Sequence, residues 1–123
     1  MGEFAADGNL RESAFAINGL ALVALARGGL DEAITLARAS LDIRHKISDK
    51  KGVADAQRTL GAIALQQDKL GSALELLSES LEMARGLDDR RGLDEALELF
   101  AAAAAREKDY GTSEPLYGGT ANS

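Results

Sequence analysis

Residues 11–50 lie over residues 51–90 without a gap, so the chain repeats itself with a period of 40. Identical pairs include Ala14/Ala54, Leu20/Leu60, Ala24/Ala64, Leu30/Leu70, Ala33/Ala73, Leu36/Leu76, Ser40/Ser80 and Leu41/Leu81. The turns keep the same phase as the apolar positions. Gly28-Gly29-Leu30-Asp31 lies over Asp68-Lys69-Leu70-Gly71, and Lys108-Asp109-Tyr110-Gly111 follows one period later. Asp49-Lys50-Lys51-Gly52 matches Asp89-Arg90-Arg91-Gly92, and Asn9 holds the same phase ahead of both. A repeat of this length is one supersecondary unit that cannot bury its apolar face alone, so successive units must stack.

Each period reads as a cap, a helix, a tight turn and a second helix. Asn9, Asp49 and Asp89 are suited to accept hydrogen bonds from the first free N–H groups of a helix. Leu70, Leu74, Leu77 and Leu81 recur at i, i+4, i+7 and i+11, which places them on one helix face. The spacing predicts helices near 10–27, 31–46, 50–67, 71–86 and 90–107, with a short sixth near 112–121. Ala and Leu dominate the apolar residues, there is no Trp, and the one proline is Pro115, so nothing upstream of it breaks a helix strongly. Ala73 is expected where paired helices approach, and Gly19 within the first helix marks either close contact or a local loss of stability. The run Ala101–Ala105 reads as a close-approach surface or as plain helix propensity. Residues 1–8 are expected to be a disordered leader or a cloning remnant. Residues 9–123 then form one domain, with repeats at about 9–48, 49–88 and 89–121.

These features resemble the tetratricopeptide repeat. Leu60-Gly61, Ala64, Asp68-Lys69-Leu70, Ala73 and Ser80 occupy that family's signature positions, as do Leu20-Ala21, Ala24, Gly28-Gly29-Leu30-Asp31-Glu32-Ala33 and Ser40. The period departs from the commoner length of about 34, and Ile17, Gln57 and Leu97 stand at the aromatic wedge positions. This longer variant looks like the repeat regions of large bacterial signalling and transcriptional regulators. The resemblance implies an all-α, right-handed superhelical solenoid of about three antiparallel helix-turn-helix repeats. It also implies a concave groove lined by the first helix of each pair. Projected onto this chain, that groove takes Phe15, Asn18, Leu22 and Leu25 from the first repeat. Asp55, Arg58, Ala62, Leu65 and Gln66 follow from the second, and Glu95, Glu98, Ala102 and Arg106 from the third. An apolar floor with a rim of mixed charge suits an amphipathic helix or an apolar peptide. Asn18 is the one groove position suited to grasping a carboxylate, while Asp55, Glu95 and Glu98 repel one.

The expected function is therefore a non-catalytic protein-binding or interdomain scaffold module, a piece of a larger bacterial regulator. The alternative is a structural homo-oligomerisation unit, a homodimer for instance, that covers Leu97, Phe100, Tyr110 and Tyr117 at the last repeat. A net charge of −6 and the lack of a Lys/Arg cluster argue against nucleic acid as a direct partner. No apolar run is long enough to span a bilayer, and no signal peptide begins the chain, so a cytoplasmic protein is expected. With no Cys, thiolate metal sites and a Cys nucleophile are excluded. The single histidine, His45, ends a basic helix and reads as a solvated residue, not a general base. Asp88-Asp89 and Asp31-Glu32 are neighbours that point to different faces of a helix, which suits caps better than acid/base pairs. The glycines form no phosphate cradle. No cofactor, metal or catalytic residue is expected.

Overall fold

The computed structural model describes the backbone of residues 2–113 and the side chains of residues 8–108. Five helices follow one another: α1 (Gly2–Ala26), α2 (Leu30–Lys46), α3 (Lys50–Gln66), α4 (Leu70–Gly86) and α5 (Arg90–Ser113). The described residues contain no strand, and the chain folds as the all-α repeat solenoid that the period implies. Two complete helix pairs, α1–α2 and α3–α4, are followed by the first helix of a third.

The connections are built alike. Gly28, Ser48, Asp68 and Asp88 each have positive φ, between 57° and 84°, and stand 20 residues apart. At each, the N–H of the following residue returns to the helix before it, as in Gly29 N to Ala24 O at 2.8 Å and Asp49 N to Arg44 O at 2.9 Å. Lys69 N to Ala64 O and Asp89 N to Ala84 O complete the series, both at 2.9 Å. This is the pattern that closes a helix on a left-handed residue and reverses the chain within three residues. Asp49 and Asp89 then cap α3 and α5 by accepting from Gly52 N and Gly92 N at 3.1 Å.

Two ends differ from expectation. Helix α1 begins at Gly2, so Asn9 lies inside it and does not act as a cap. The segment upstream contains Glu3, Ala5 and Ala6 and no proline, so nothing in it ends the helix. Helix α5 runs straight through the turn expected at 108–111. Phase places Lys108 where Gly28, Asp68 and the left-handed geometry stand in the earlier pairs. A straight-chain lysine favours the right-handed helix and gains nothing from a left-handed one. The remainder of the sixth helix expected near 112–121 lies outside the described residues.

The core is two copies of one cluster. Ala24, Ala33, Ala37 and Ile63 are buried together, and one period later so are Ala64, Ala73, Leu77 and Ala103. Buried Ser40 donates to the Ala14 carbonyl at 2.8 Å, and buried Ser80 to the Ala54 carbonyl at 3.0 Å. Each second helix is thus tied to its own first helix by the same bond. The two clusters are filled differently. Ala21 and Ala37 face one another in the first repeat, where the second has Gly61 and Leu77. A methyl group added to Gly61 would lie 2.7 Å from Leu77 Cγ. By contrast, nothing stands within 4 Å of the same addition at Gly19, which faces open space and marks no close contact.

Gly61→Ala is therefore expected to cost about 1–3 kcal/mol through overpacking. Adding Leu77→Ala should cost less in that variant than in the parent, by at least about 0.5 kcal/mol. Urea unfolding of the four proteins measures both, and additive losses would show that the pair is not in contact. Gly19→Ala should raise stability by about 1 kcal/mol in the same assay.

Candidate functional site: the concave face

Helix α3 touches both α1 and α5, whereas no Cα of α2 comes within 8 Å of α4. The first helices are therefore drawn together on one side and the second helices are splayed apart on the other. The α1–α3–α5 side is the concave one. On it lies a shallow concavity of about 300 Å³ lined by Phe15, Lys51, Asp55, Asp89, Arg91 and Glu95.

Phe15 forms the apolar wall of this concavity and is 73% exposed. Leu22, 47% exposed, follows two turns along α1, about 10 Å away on the same face. Both were expected in the groove, and the structure leaves both uncovered. Ala62 is half-buried beside them in sequence phase, and Gln66 and Glu98 are exposed. The other expected groove residues sit elsewhere. Leu65 is buried in the core with Leu70 and Ala73, and Leu25 packs half-buried against the core cluster of the first repeat. Asn18 is 9% exposed, and its Oδ1 is buried without a hydrogen-bond partner. Arg106 donates from Nη1 to the Leu65 carbonyl at 2.9 Å and lies 3.4 Å from Asp68.

A ladder of charge crosses the N-terminal halves of the helices. Arg11 pairs with Asp49 at 3.3 Å, and Arg58 spans Asp55 at 3.1 Å and Glu95 at 3.0 Å. Arg91 adds a second contact to Glu95 at 3.2 Å. The repulsion expected from Asp55 and Glu95 is thus largely absorbed by Arg58, whose side chain is 18% exposed. Lys51 is exposed beside them and has no ion pair among the described residues.

Beneath the ladder lies Arg44, which sequence reasoning passed over as part of a basic helix end. It is 3% exposed and donates from Nη1 to the Gly52 carbonyl at 2.9 Å. Burial pushes its guanidinium below the ordinary value, the fields of Asp55 and Asp49 pull it back up, and Arg58 opposes them. A side chain on Gly52 would meet Arg44 Cδ and Nε at 2.8 Å, so the glycine makes room for the arginine. The Arg44-x₇-Gly52 spacing was the available signal, but Gly52 reads equally as a turn residue.

At the last repeat, Leu97 is 48% exposed as expected. Phe100 is not bare. It packs half-buried against the cluster of Ala73, Leu77 and Ala103, as Leu60 does one period earlier. Of the alanine run, Ala103 is fully buried while Ala101, Ala102 and Ala105 are exposed, so the close-approach reading holds for one position. The side chain of Tyr110 and the whole of Tyr117 lie outside the described residues. His45 is exposed, and no group of three metal-ligating side chains occurs among the described residues. No helix among the described residues is long and apolar enough to cross a membrane.

The sequence model of the tetratricopeptide repeat matches residues 12–86, which span most of α1 and all of α2, α3 and α4. The chain belongs to the tetratricopeptide repeat family. No curated protein matches it. Tetratricopeptide repeats generally mediate protein–protein interactions and are typically non-catalytic scaffolds. The match ends before α5, which runs on as helix through the phase of the left-handed turn.

Arg44→Ala should lower stability by about 2–3 kcal/mol, because a charge-assisted bond is lost and the Gly52 carbonyl is left unpaired. Arg58→Ala, at the more open part of the ladder, should cost about 1 kcal/mol or less. Equal losses in thermal or urea unfolding would contradict this ranking.

Proposed function

We propose that the chain is a non-catalytic protein-binding module that takes an amphipathic helix or apolar peptide against its concave face. The observation that carries this reading is the uncovered pair Phe15 and Leu22 on α1. Their separation of seven residues matches two turns of a partner helix bearing apolar residues at i and i+7. Exposed aromatic groups rimmed by charge are frequent anchors of such interfaces. Lys51 offers at the rim a cation with no ion pair among the described residues, and the Asp55–Arg58–Glu95–Arg91 set adds polarity without net charge. The module serves as an interaction or scaffold part of a larger bacterial regulator in the cytoplasm, a placement that rests on the resemblance of its 40-residue variant. Partners are proteins or peptides, without direct nucleic-acid or membrane contact. With Asn18 largely buried and the Glu98 carboxylate open on the same face, peptides ending in an acidic carboxylate motif are not its ligands.

The test is selection of peptides from a displayed library against the whole chain, followed by titration of the selected sequences. Selected peptides should carry apolar residues spaced seven apart. Phe15→Ala should weaken their binding by about 1–3 kcal/mol without changing the melting temperature, because Phe15 supports no core contact. Binders indifferent to both Phe15→Ala and Leu22→Ala would place the interface elsewhere.

A further inference from the structure

The two junctions between helix pairs share their acceptors but not their cations. At the first, Arg44 ends α2 at 3% exposure and donates from Nη1 to the Gly52 carbonyl at 2.9 Å. Burial opposes its charge, and the nearby Asp55 and Asp49 favour it. Asp49 also meets Arg11 at 3.3 Å.

One period later Gly92 stands in place of Gly52, Asp89 in place of Asp49 and Glu95 in place of Asp55. Asp89 accepts from Gly92 N as Asp49 accepts from Gly52 N, both at 3.1 Å. Ala84, however, takes the position of Arg44, and Lys51 that of Arg11. Neither Lys51 nor Asp89 forms an ion pair among the described residues. Asp89 therefore has neither of the cations that act on Asp49. A side chain added to Gly52 would meet Arg44 Cδ and Nε at 2.8 Å, whereas the three atoms nearest to the same addition at Gly92 all belong to Asp89.

These counterparts open onto the concave face. Gly92, Asp89 and Glu95 line the concavity of about 300 Å³, with Phe15 as its apolar wall. The first turn of a helix ordinarily disfavours a cation. Arg44 shows that a glycine carbonyl with two carboxylates beside it holds a guanidinium there all the same. Arg58 and Arg91 already meet Glu95 at 3.0 and 3.2 Å, so the carboxylate left to an incoming cation is that of Asp89. Residues 1–7 and 109–123, whose side chains lie outside the described ones, contain neither Arg nor Lys and cannot supply it.

We infer that the concavity is an arginine niche, taking the guanidinium of a partner peptide onto the Gly92 carbonyl and the Asp89 carboxylate as the chain itself places Arg44 on Gly52 beside Asp49. This rests on the concave-face reading and deepens it, because it adds one cation to the apolar pair that Phe15 and Leu22 call for. Arginine suits the niche better than lysine, since its planar fork presents several donors that reach a carbonyl and a carboxylate together.

The probe is N-acetyl-arginine methylamide, titrated into the isotopically labelled whole chain and followed by amide chemical shifts. N-acetyl-citrulline methylamide has nearly the same shape without the charge and serves as control. Saturable shifts centred on Gly92 and Glu95 are expected, with a Kd of the order of 10 mM for one charge-assisted contact. Citrulline should bind at least about fivefold more weakly. Asp89→Asn keeps a capping side chain and should weaken the arginine probe about fivefold with an unchanged circular dichroism spectrum. Ala84→Arg places a guanidinium in the niche from within, so it should fold and no longer respond to the probe. Where Ala84→Arg does not fold, Asp89→Asn decides alone. The inference is overturned if arginine gives no saturable shift, if citrulline binds equally, or if either folded variant binds as the parent does. Selected peptides that need Phe15 but no arginine would also overturn it while keeping the concave-face reading. Arginine-specific shifts without any selected peptide would sink the helix-binding reading and keep the niche.

Discussion

Everything in this fold hangs on a left-handed residue placed every 20 positions. Gly28, Ser48, Asp68 and Asp88 each stop a helix and send the chain back within three residues. Because the connections are equally short, α2, α3 and α4 are equally long, and their apolar residues return in register. That register lets one cluster of small residues serve twice, as Ala24, Ala33, Ala37 and Ile63 and then as Ala64, Ala73, Leu77 and Ala103. The geometry carries a local cost, since only one of the four residues is the glycine that enters this region freely. Asp and Ser tolerate it because their short polar side chains can bond locally. Where the residue in phase is Lys108, the turn is absent and α5 continues to Ser113.

Alanine-rich packing then determines what the surface can be. Small residues between α1 and α2, and between α3 and α4, let paired helices approach closely, to the point where Gly61 has no room for a methyl group beside Leu77. Drawing α1, α3 and α5 together on one side forces α2 and α4 apart on the other. Curvature is thus a consequence of where the small residues lie. A curved stack has an inner face that the described helices do not cover, and Phe15 and Leu22 stand on it.

The fold was largely legible because its determinants are periodic. The identity of Ser40 and Ser80 was visible in the sequence, and the bonds to the Ala14 and Ala54 carbonyls are its cause. Ala73, expected at a close approach, is fully buried. The ends were not legible, because a period says nothing about its own failure. Asn9 keeps the phase of a cap yet lies within α1, where neither proline nor a left-handed residue interrupts the helix. The concave face was legible only in part. Spacing on one helix put Phe15 and Leu22 on a face that is open in the structure, but Asn18 and Leu65 share nearly the same projection and are buried. Whether such a residue faces the groove or the adjoining helix depends on a rotation of a few tens of degrees, which a neighbour sets and a sequence does not record. Arg44 was missed for a related reason. A basic residue in the last turn of a helix ordinarily points to water, and here the space beside Gly52, its carbonyl and the nearby Asp55 and Asp49 hold it inside.

The same comparison between periods separates surface from core. A position that is covered in later repeats and open on α1 is apolar because the pattern requires it. Leu20 and Val23 belong to this kind, since Leu60 and Ile63 are covered. Phe15 belongs to another, because its counterparts Asp55 and Glu95 are charged and half-open. No packing role of the repeat calls for a phenylalanine there. An aromatic side chain that departs from the pattern on an open face costs solubility and gains no stability, which is why the proposed interface centres on it. Of the apolar groups exposed on α1, Phe15 is the one whose counterparts in both later repeats are charged.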